Sequence, residues 1–133
     1  MKFSAKEQYG LRVMAELARK RGHGPTPLNQ IAKVEGLPLP SLEQIVIPLR
    51  QAGLVQSLRG AHGGYLLGRR PEAITIGDII RALEGTIVPI PCVAKDSCTP
   101  CGREDVCVAR NVWERVRDRL EDTLDKMTLA DLC

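Results

Sequence analysis

The stretch Ser41-Leu42-Glu43-Gln44-Ile45-Val46-Ile47-Pro48-Leu49-Arg50-Gln51-Ala52-Gly53-Leu54-Val55-Gln56-Ser57-Leu58-Arg59-Gly60-Ala61-His62-Gly63-Gly64-Tyr65-Leu66-Leu67 decides the fold. Its first part spaces Leu42, Ile45, Val46 and Leu49 at helical intervals, predicting a helix from about 41 to 52. Pro48 falls inside that helix. An interior proline removes a backbone hydrogen bond and costs about 3 kcal/mol, so a kink or a loosened last turn is expected. The second part is strand-like. Residues 54–59 and 65–67 read as short strands around a glycine-rich loop, which makes a hairpin.

Upstream, Ser4-Ala5-Lys6-Glu7 has the pattern of a capping box, in which Ser and Glu satisfy free backbone donors at a helix start. Tyr9, Val13, Met14, Leu17 and Ala18 follow at helical spacing, predicting a helix over about 4–21. Arg21-Gly22-His23-Gly24-Pro25 breaks it. Thr26-Pro27 opens a second helix with Pro in the tolerated first position. Leu28, Ile31 and Val34 form its expected buried stripe, and Gly36 ends it. Two helices, a tight turn, a third helix and a hairpin describe a winged helix-turn-helix. The fold class is therefore mainly α with a small β-hairpin.

Downstream, Thr75-Ile76-Gly77-Asp78 is a second capping-box pattern, opening a short helix that ends at Gly85. Val112, Trp113, Val116, Leu120, Leu124 and Met127 then mark a helix over about 108–126, near 30 Å long. Arg115, Arg117, Asp118, Arg119, Glu121 and Asp122 take much of its other face. The stripe can pack on its own domain, but the helix is long for a small chain, so a dimerisation seam is the preferred reading. Thr128-Leu129-Ala130-Asp131-Leu132 closes as a capped turn. Three parts are expected: a winged helix-turn-helix over 1–85, a cysteine-rich loop over 86–107, and a dimerisation helix with its final turn over 108–133.

The loop carries Cys92, Cys98, Cys101 and Cys107; the fifth cysteine, Cys133, is the last residue and reads as an incidental thiol. Thiolates are soft ligands, and several on one loop suit zinc or an iron–sulfur cluster. No segment approaches the roughly 18 apolar residues of a membrane span. The first residues lack the apolar core of a signal peptide. A cytoplasmic protein with no membrane partner is expected. Thiols stay reduced there, which favours metal binding or thiol switching over a disulfide framework.

Charge is unevenly distributed. Residues 1–70 hold 11 Lys/Arg and 4 Asp/Glu, whereas residues 71–133 hold 8 and 12. A basic first half attracts polyanions. Aromatic residues are only 3%, too few for the stacking platforms of single-strand or RNA readers, so duplex DNA is the expected partner. No P-loop ending, Ser–His or Cys–His pair, or paired acids mark an enzyme. His23 reads as solvated.

These residues together carry a family resemblance. The opening Met1-Lys2-Phe3-Ser4-Ala5-Lys6-Glu7-Gln8-Tyr9-Gly10-Leu11-Arg12-Val13-Met14 resembles the first helix of the IscR, NsrR and CymR type of bacterial transcription regulator. Ser41-Leu42-Glu43-Gln44-Ile45 resembles that family's recognition helix, and Gly53-Leu54-Val55 with Arg59–Leu67 its wing. Ile79-Ile80-Arg81-Ala82-Leu83-Glu84-Gly85, then Cys107 with Val112-Trp113, extend the match over almost the whole chain. The resemblance implies a homodimer with a winged head at each end and a long helix crossing between them. It also implies an iron–sulfur cluster, 2Fe–2S or 4Fe–4S, on a trio matching Cys92, Cys98 and Cys107. Arg110 stands where some members have a ligating His, and Gln8 where others place an acid from the partner's first helix. The fourth ligand is thus open between Cys101 and the neighbouring Glu7, with zinc the alternative to the cluster.

The expected DNA-binding residues are Ser41, Glu43, Gln44, Arg59, Gly60, His62, Gly63 and Gly64. Lys2, Arg12, Lys33 and Arg50 are weaker phosphate candidates. Glu43 has two readings: a helix-capping charge, or an acceptor for a cytosine amino group that also rejects wrong sites. In the relatives this chain resembles, that position discriminates between operator classes. The competing function is a small zinc-stabilised protein-interaction module.

Overall fold

A computed structural model describes residues 3–61, 63–94 and 106–132. Helix α1 spans Ala5–Arg19, α2 Leu28–Glu35 and α3 Leu39–Gln51. Strands β1 (Val55–Leu58) and β2 (Gly64–Leu67) form the hairpin, and α4 (Ile76–Glu84) and α5 (Arg110–Lys126) follow. Short 3-10 turns lie at Pro71–Ala73, Pro91–Val93 and Leu129–Leu132. The expected mainly helical architecture with one wing is present.

Val13, Met14, Ile31, Leu42, Leu49, Leu54, Ile74, Ile79 and Leu129 form the centre of the core. Each fully buried side chain of this kind contributes about 1.5–3 kcal/mol. The core therefore joins α1–α4, the base of the wing and the final turn into one body. Leu129 donates its N–H to the Ile74 carbonyl at 2.8 Å, and Ile76 donates to the Met127 carbonyl at 2.9 Å. The end of the chain is thus pinned beside the start of α4.

The capping box at α4 forms as expected: Asp78 N–H donates to Thr75 Oγ1 at 2.9 Å and Thr75 N–H to Asp78 Oδ2 at 3.0 Å. The Ser4 box does not form. Ser4 precedes α1, but its hydroxyl donates to the Glu7 carboxylate instead of accepting a backbone N–H. Glu7 is drawn inward against α4, and the hydroxyl follows it.

Three more expectations need correction. Val34 is 57% exposed and Ala32 takes its place on the buried face. At 100° per residue, Val34 lies well off the side shared by Leu28, Ile31 and Ala32. Pro27 caps α2 from outside it, because Thr26 is engaged elsewhere. Finally, α3 starts at Leu39 and continues through Pro48. It ends tightly: Gly53 N–H donates to Arg50 O and Leu54 N–H to Leu49 O, both at 3.0 Å. This is a Schellman closure, and Gly53 at φ +76° supplies the left-handed residue it needs.

The hairpin pairs Val55 with Leu67 and Leu58 with Gly64. Thr26 adds a further rung, exchanging backbone hydrogen bonds with Tyr65 at 3.0 and 2.8 Å. The wing is therefore anchored to the connection between α1 and α2. Gly68 is required by this packing, since a Cβ there would lie 2.2 Å from the Gly53 carbonyl oxygen.

Candidate functional site

Helix α3 buries Leu42, Ile45, Val46 and Leu49. Glu43, Gln44, Ile47, Arg50 and Gln51 therefore share its solvent face, and Ser41 is half-buried near its start. Because α3 begins at Leu39, Glu43 is its fifth residue and the first turn contains no acid. This removes the capping role for Glu43 and leaves its carboxylate on the exposed face. Ile47 was not singled out from the sequence; its signal was its position one turn after Glu43 on a face with no core role.

In the wing, Arg59 and Gly60 are exposed, and Gly63 and Gly64 are half-buried. Gly63 donates its N–H to the Gly60 carbonyl at 3.0 Å, so that donor already closes the turn. A Cβ on Gly63 would lie 2.4 Å from Leu58 O, and one on Gly64 would lie 2.5 Å from the Thr26 carbonyl carbon. Both glycines are therefore demanded by close packing, independently of any ligand. His62 and Lys2 lie outside the described residues. Lys33 and Arg50 are exposed, whereas Arg12 bonds Glu35 through both its carbonyl and its carboxylate. That pairing ties α1 to α2 and occupies the Arg12 charge.

Of the cysteine loop, Cys92 and Cys107 are described; both are free thiols and half-buried. Cys98 and Cys101 lie outside the described residues, as does Cys133. Cys92 sits in the Pro91–Val93 turn. The Arg117 guanidinium donates to the Val93 carbonyl at 2.8 Å, fastening this turn to α5. Cys107 lies just before α5, and its carbonyl accepts from Arg110 N–H at 3.3 Å. The Arg110 side chain pairs along the helix with Glu114 at 2.8 Å. Among the described residues, no three His, Cys, Asp or Glu side chains gather as a metal site. The donor chemistry nonetheless suits an iron–sulfur group, because soft thiols stand at each end of the loop.

Glu7 is only 4% exposed and turned into its own fold. Its carboxylate accepts from Ser4, whose hydroxyl also lies 3.2 Å from Glu84 Oε1. Burial raises the Glu7 pKa, but the Ser4 hydroxyl and the surrounding hydrogen bonds outweigh it, and the net shift is downward. A cavity of about 110 Å³ opens here between Phe3, Glu7, Ile80, Glu84 and Ile87. Gln8 instead is exposed and donates to the Phe3 carbonyl at 3.3 Å.

No residue of α5 is fully buried. Val112 and Trp113 are exposed, and Val116, Leu120 and Leu124 are half-buried. An apolar hollow of about 390 Å³ runs along this face between Phe3, Val116, Leu120 and Leu124. Arg81 holds α5 to α4 by a two-pronged ion pair with Asp125, both contacts at 2.8 Å. Among the described residues, no helix is long and apolar enough to cross a membrane.

The family model described as Rrf2, iron-dependent transcriptional regulator, matches residues 3–133. The chain is 51% identical over 132 residues to the HTH-type transcriptional regulator CymR of Bacillus subtilis (strain 168), covering 99% of this chain and 89% of that one. It is 36% identical over 132 residues to the HTH-type transcriptional regulator IscR of Erwinia tasmaniensis, covering 99% and 78%. Among solved structures, CymR (YrzC), the global cysteine regulator of B. subtilis, superposes with a TM-score of 0.80 at 52% identity, over 99% of this chain and 95% of that one. T. potens IscR superposes with a TM-score of 0.81 at 45% identity, over 99% and 85%.

Proposed function

The chain belongs to the Rrf2 family of transcriptional regulators, and we propose that it acts as a homodimer that binds a double-stranded DNA operator and senses iron–sulfur cluster, redox or nitric-oxide status through its cysteine loop. Helix α3 enters the major groove with Ser41, Glu43, Gln44 and Ile47 facing the DNA. Glu43 accepts from a cytosine amino group, and Ile47 offers apolar contact to a thymine methyl. Arg59, Gly60, His62, Gly63 and Gly64 bring the wing to phosphates and the neighbouring groove, where contacts fix register and carry little sequence information. The apolar face of α5 packs on the same helix of a second copy; its incomplete burial supports this.

Cys92, Cys98 and Cys107 hold the cluster, with Cys101 as the fourth thiolate. When bound, the cluster supplies a redox- and nitric-oxide-reactive centre next to α5. The observation that carries this reading is four soft donors within one loop, with Cys92 and Cys107 free at its ends. The inward turn of Glu7 argues for Cys101 over Glu7 as the fourth ligand. Anaerobic purification with visible absorption spectroscopy and iron and sulfide assay tests the reading; a colourless protein holding zinc or no metal sinks it. Cys101→Ser should make the cluster labile and shift its absorption, whereas a full, spectrally normal cluster would return the fourth position to another group.

One observation favours a second reading, a metal-free or zinc-stabilised regulator: the 51% identity with CymR, whose solved structure bears the description of a global cysteine regulator. The same metal assay separates the two. Either regulator loses DNA affinity steeply with salt, whereas a pure protein-interaction module does not.

A further inference from the structure

We infer that Arg117 is a positioning residue for Cys92, holding the Pro91–Val93 turn that carries it against α5. The inference deepens the sensor reading and rests on it for the role of Cys92.

Val93 is buried at 1% exposure and ends the Pro91–Val93 turn. Within that turn, Val93 N–H donates to Ile90 O and Ala94 N–H to Pro91 O. The Val93 carbonyl instead receives Arg117, 24 positions further along the chain. A buried carbonyl that lacks a partner is costly, and a guanidinium donor makes a stronger bond than a neutral one. The Arg117 side chain is itself only 15% exposed. Its Nε and the other terminal nitrogen both meet Asp118 Oδ1 at 3.0 Å, while the remaining nitrogen reaches Val93 O at 2.8 Å. The planar fork is therefore set at its base by one neighbour and spends its tip on the turn. Lysine, with one point charge and no fork, cannot make both contacts. Cys92 is covalently next to the held residue, so this bond restrains where its backbone lies. Arg117 touches no thiol in this role; it acts through the backbone.

The test measures iodoacetamide labelling of Cys92 in the reduced, metal-free full chain, followed by peptide mass spectrometry, with Cys107 as the internal reference. Losing the charge without releasing the turn would not speed labelling. Releasing the turn would expose Cys92 and speed it. In Arg117→Gln, Cys92 is expected to label about tenfold faster, the scale of one lost charge-assisted hydrogen bond, with Cys107 within twofold. Arg117→Lys should fall between that variant and the native chain. A Cys92 rate in Arg117→Gln that is unchanged or slower overturns the inference. If Arg117→Gln does not fold, Arg117→Lys decides, since it keeps the charge but loses the fork: a faster Cys92 rate than in the native chain supports the inference and an unchanged one overturns it. In anaerobically loaded protein, Arg117→Gln should also release iron to a chelator faster and alter the visible circular dichroism. A native chain that never takes up iron sinks the cluster reading, while the labelling rates still judge the role of Arg117.

Discussion

The winged helix-turn-helix part and helix α5 are buried to different depths. The winged part buries Val13, Met14, Ile31, Leu42, Leu49 and Ile79 almost completely. Helix α5 has no fully buried residue: Leu120 and Leu124 pack half-buried against the core, and Arg81–Asp125, Arg117 on the Val93 carbonyl and the backbone bonds that follow the helix add polar ties. Apolar burial makes one structure decisively stable. Half-burial with polar ties leaves part of an apolar face open to what binds beside it. The winged part is thus the more deeply buried of the two, and α5 the more exposed.

Core truncation should break this contrast most strongly. Ile79→Ala is expected to cost about 2–5 kcal/mol and lower the melting temperature by many degrees. Val112→Ala on α5 should barely change the unfolding of the single chain. Equal losses from the two in chemical denaturation would show that α5 is as firmly packed as the winged part.

A charge on the apolar face of α5 should sharpen the contrast next. Leu120→Glu should shift sedimentation from dimer to monomer, with the far-ultraviolet circular dichroism retained. A variant that stays dimeric would place the contact between copies elsewhere.

The wing offers a functional counterpart. Arg59→Ala should weaken binding to all DNA sequences alike, by about 1–2 kcal/mol, and lower the salt slope by about one ion. Glu43→Ala should instead change the ranking of operator sequences. Gel shifts at two salt concentrations on two operators distinguish the patterns, and a sequence-dependent loss from Arg59→Ala would contradict the phosphate role.

The Arg81–Asp125 pair is partly exposed, so its expected contribution is at most about 1 kcal/mol. Arg81→Ala should cost that much at low salt and less at high salt. A larger, salt-insensitive loss would mean that α5 depends on this one tie.

The smallest expected effect is that of pH on Glu7. Its folded pKa lies below the ordinary carboxylate value, so its stabilising contribution is present above that value and is lost as pH falls through the folded one. Glu84 lines the same cavity as Glu7, and Lys6 pairs with Glu84 at 3.6 Å. Glu7→Gln should flatten the loss of stability on acidification below about pH 5. An unchanged acid limb in urea titrations would show that the groups responsible lie elsewhere.

The site was partly legible before the fold. The alternation of buried and outward residues along Leu42–Leu49 already placed Glu43 and Gln44 outside, because helical spacing is a local property. Ile47 escaped notice because an isoleucine reads as core until its face is known. Arg12 read as a free cation, since its partner Glu35 is on another helix. The glycines of the wing read as ligand contacts, yet the approach of Thr26 and Leu58 gives Gly63 and Gly64 a packing reason.

What the sequence determined by itself was set by interactions within a few residues. These are the Thr75–Asp78 capping box, the stop at Gly36, the periodicity of the helices and the hairpin around the glycine loop. The tertiary structure decided what depends on distant partners. It turned Ser4 toward Glu7 beside Glu84, added Thr26 to the wing, exposed Val34, buried Leu129 and brought Arg117 to Val93. The physical reason is range: caps and turns are satisfied by neighbours in the chain, whereas a buried carbonyl or carboxylate takes whichever donor the packed fold brings within reach.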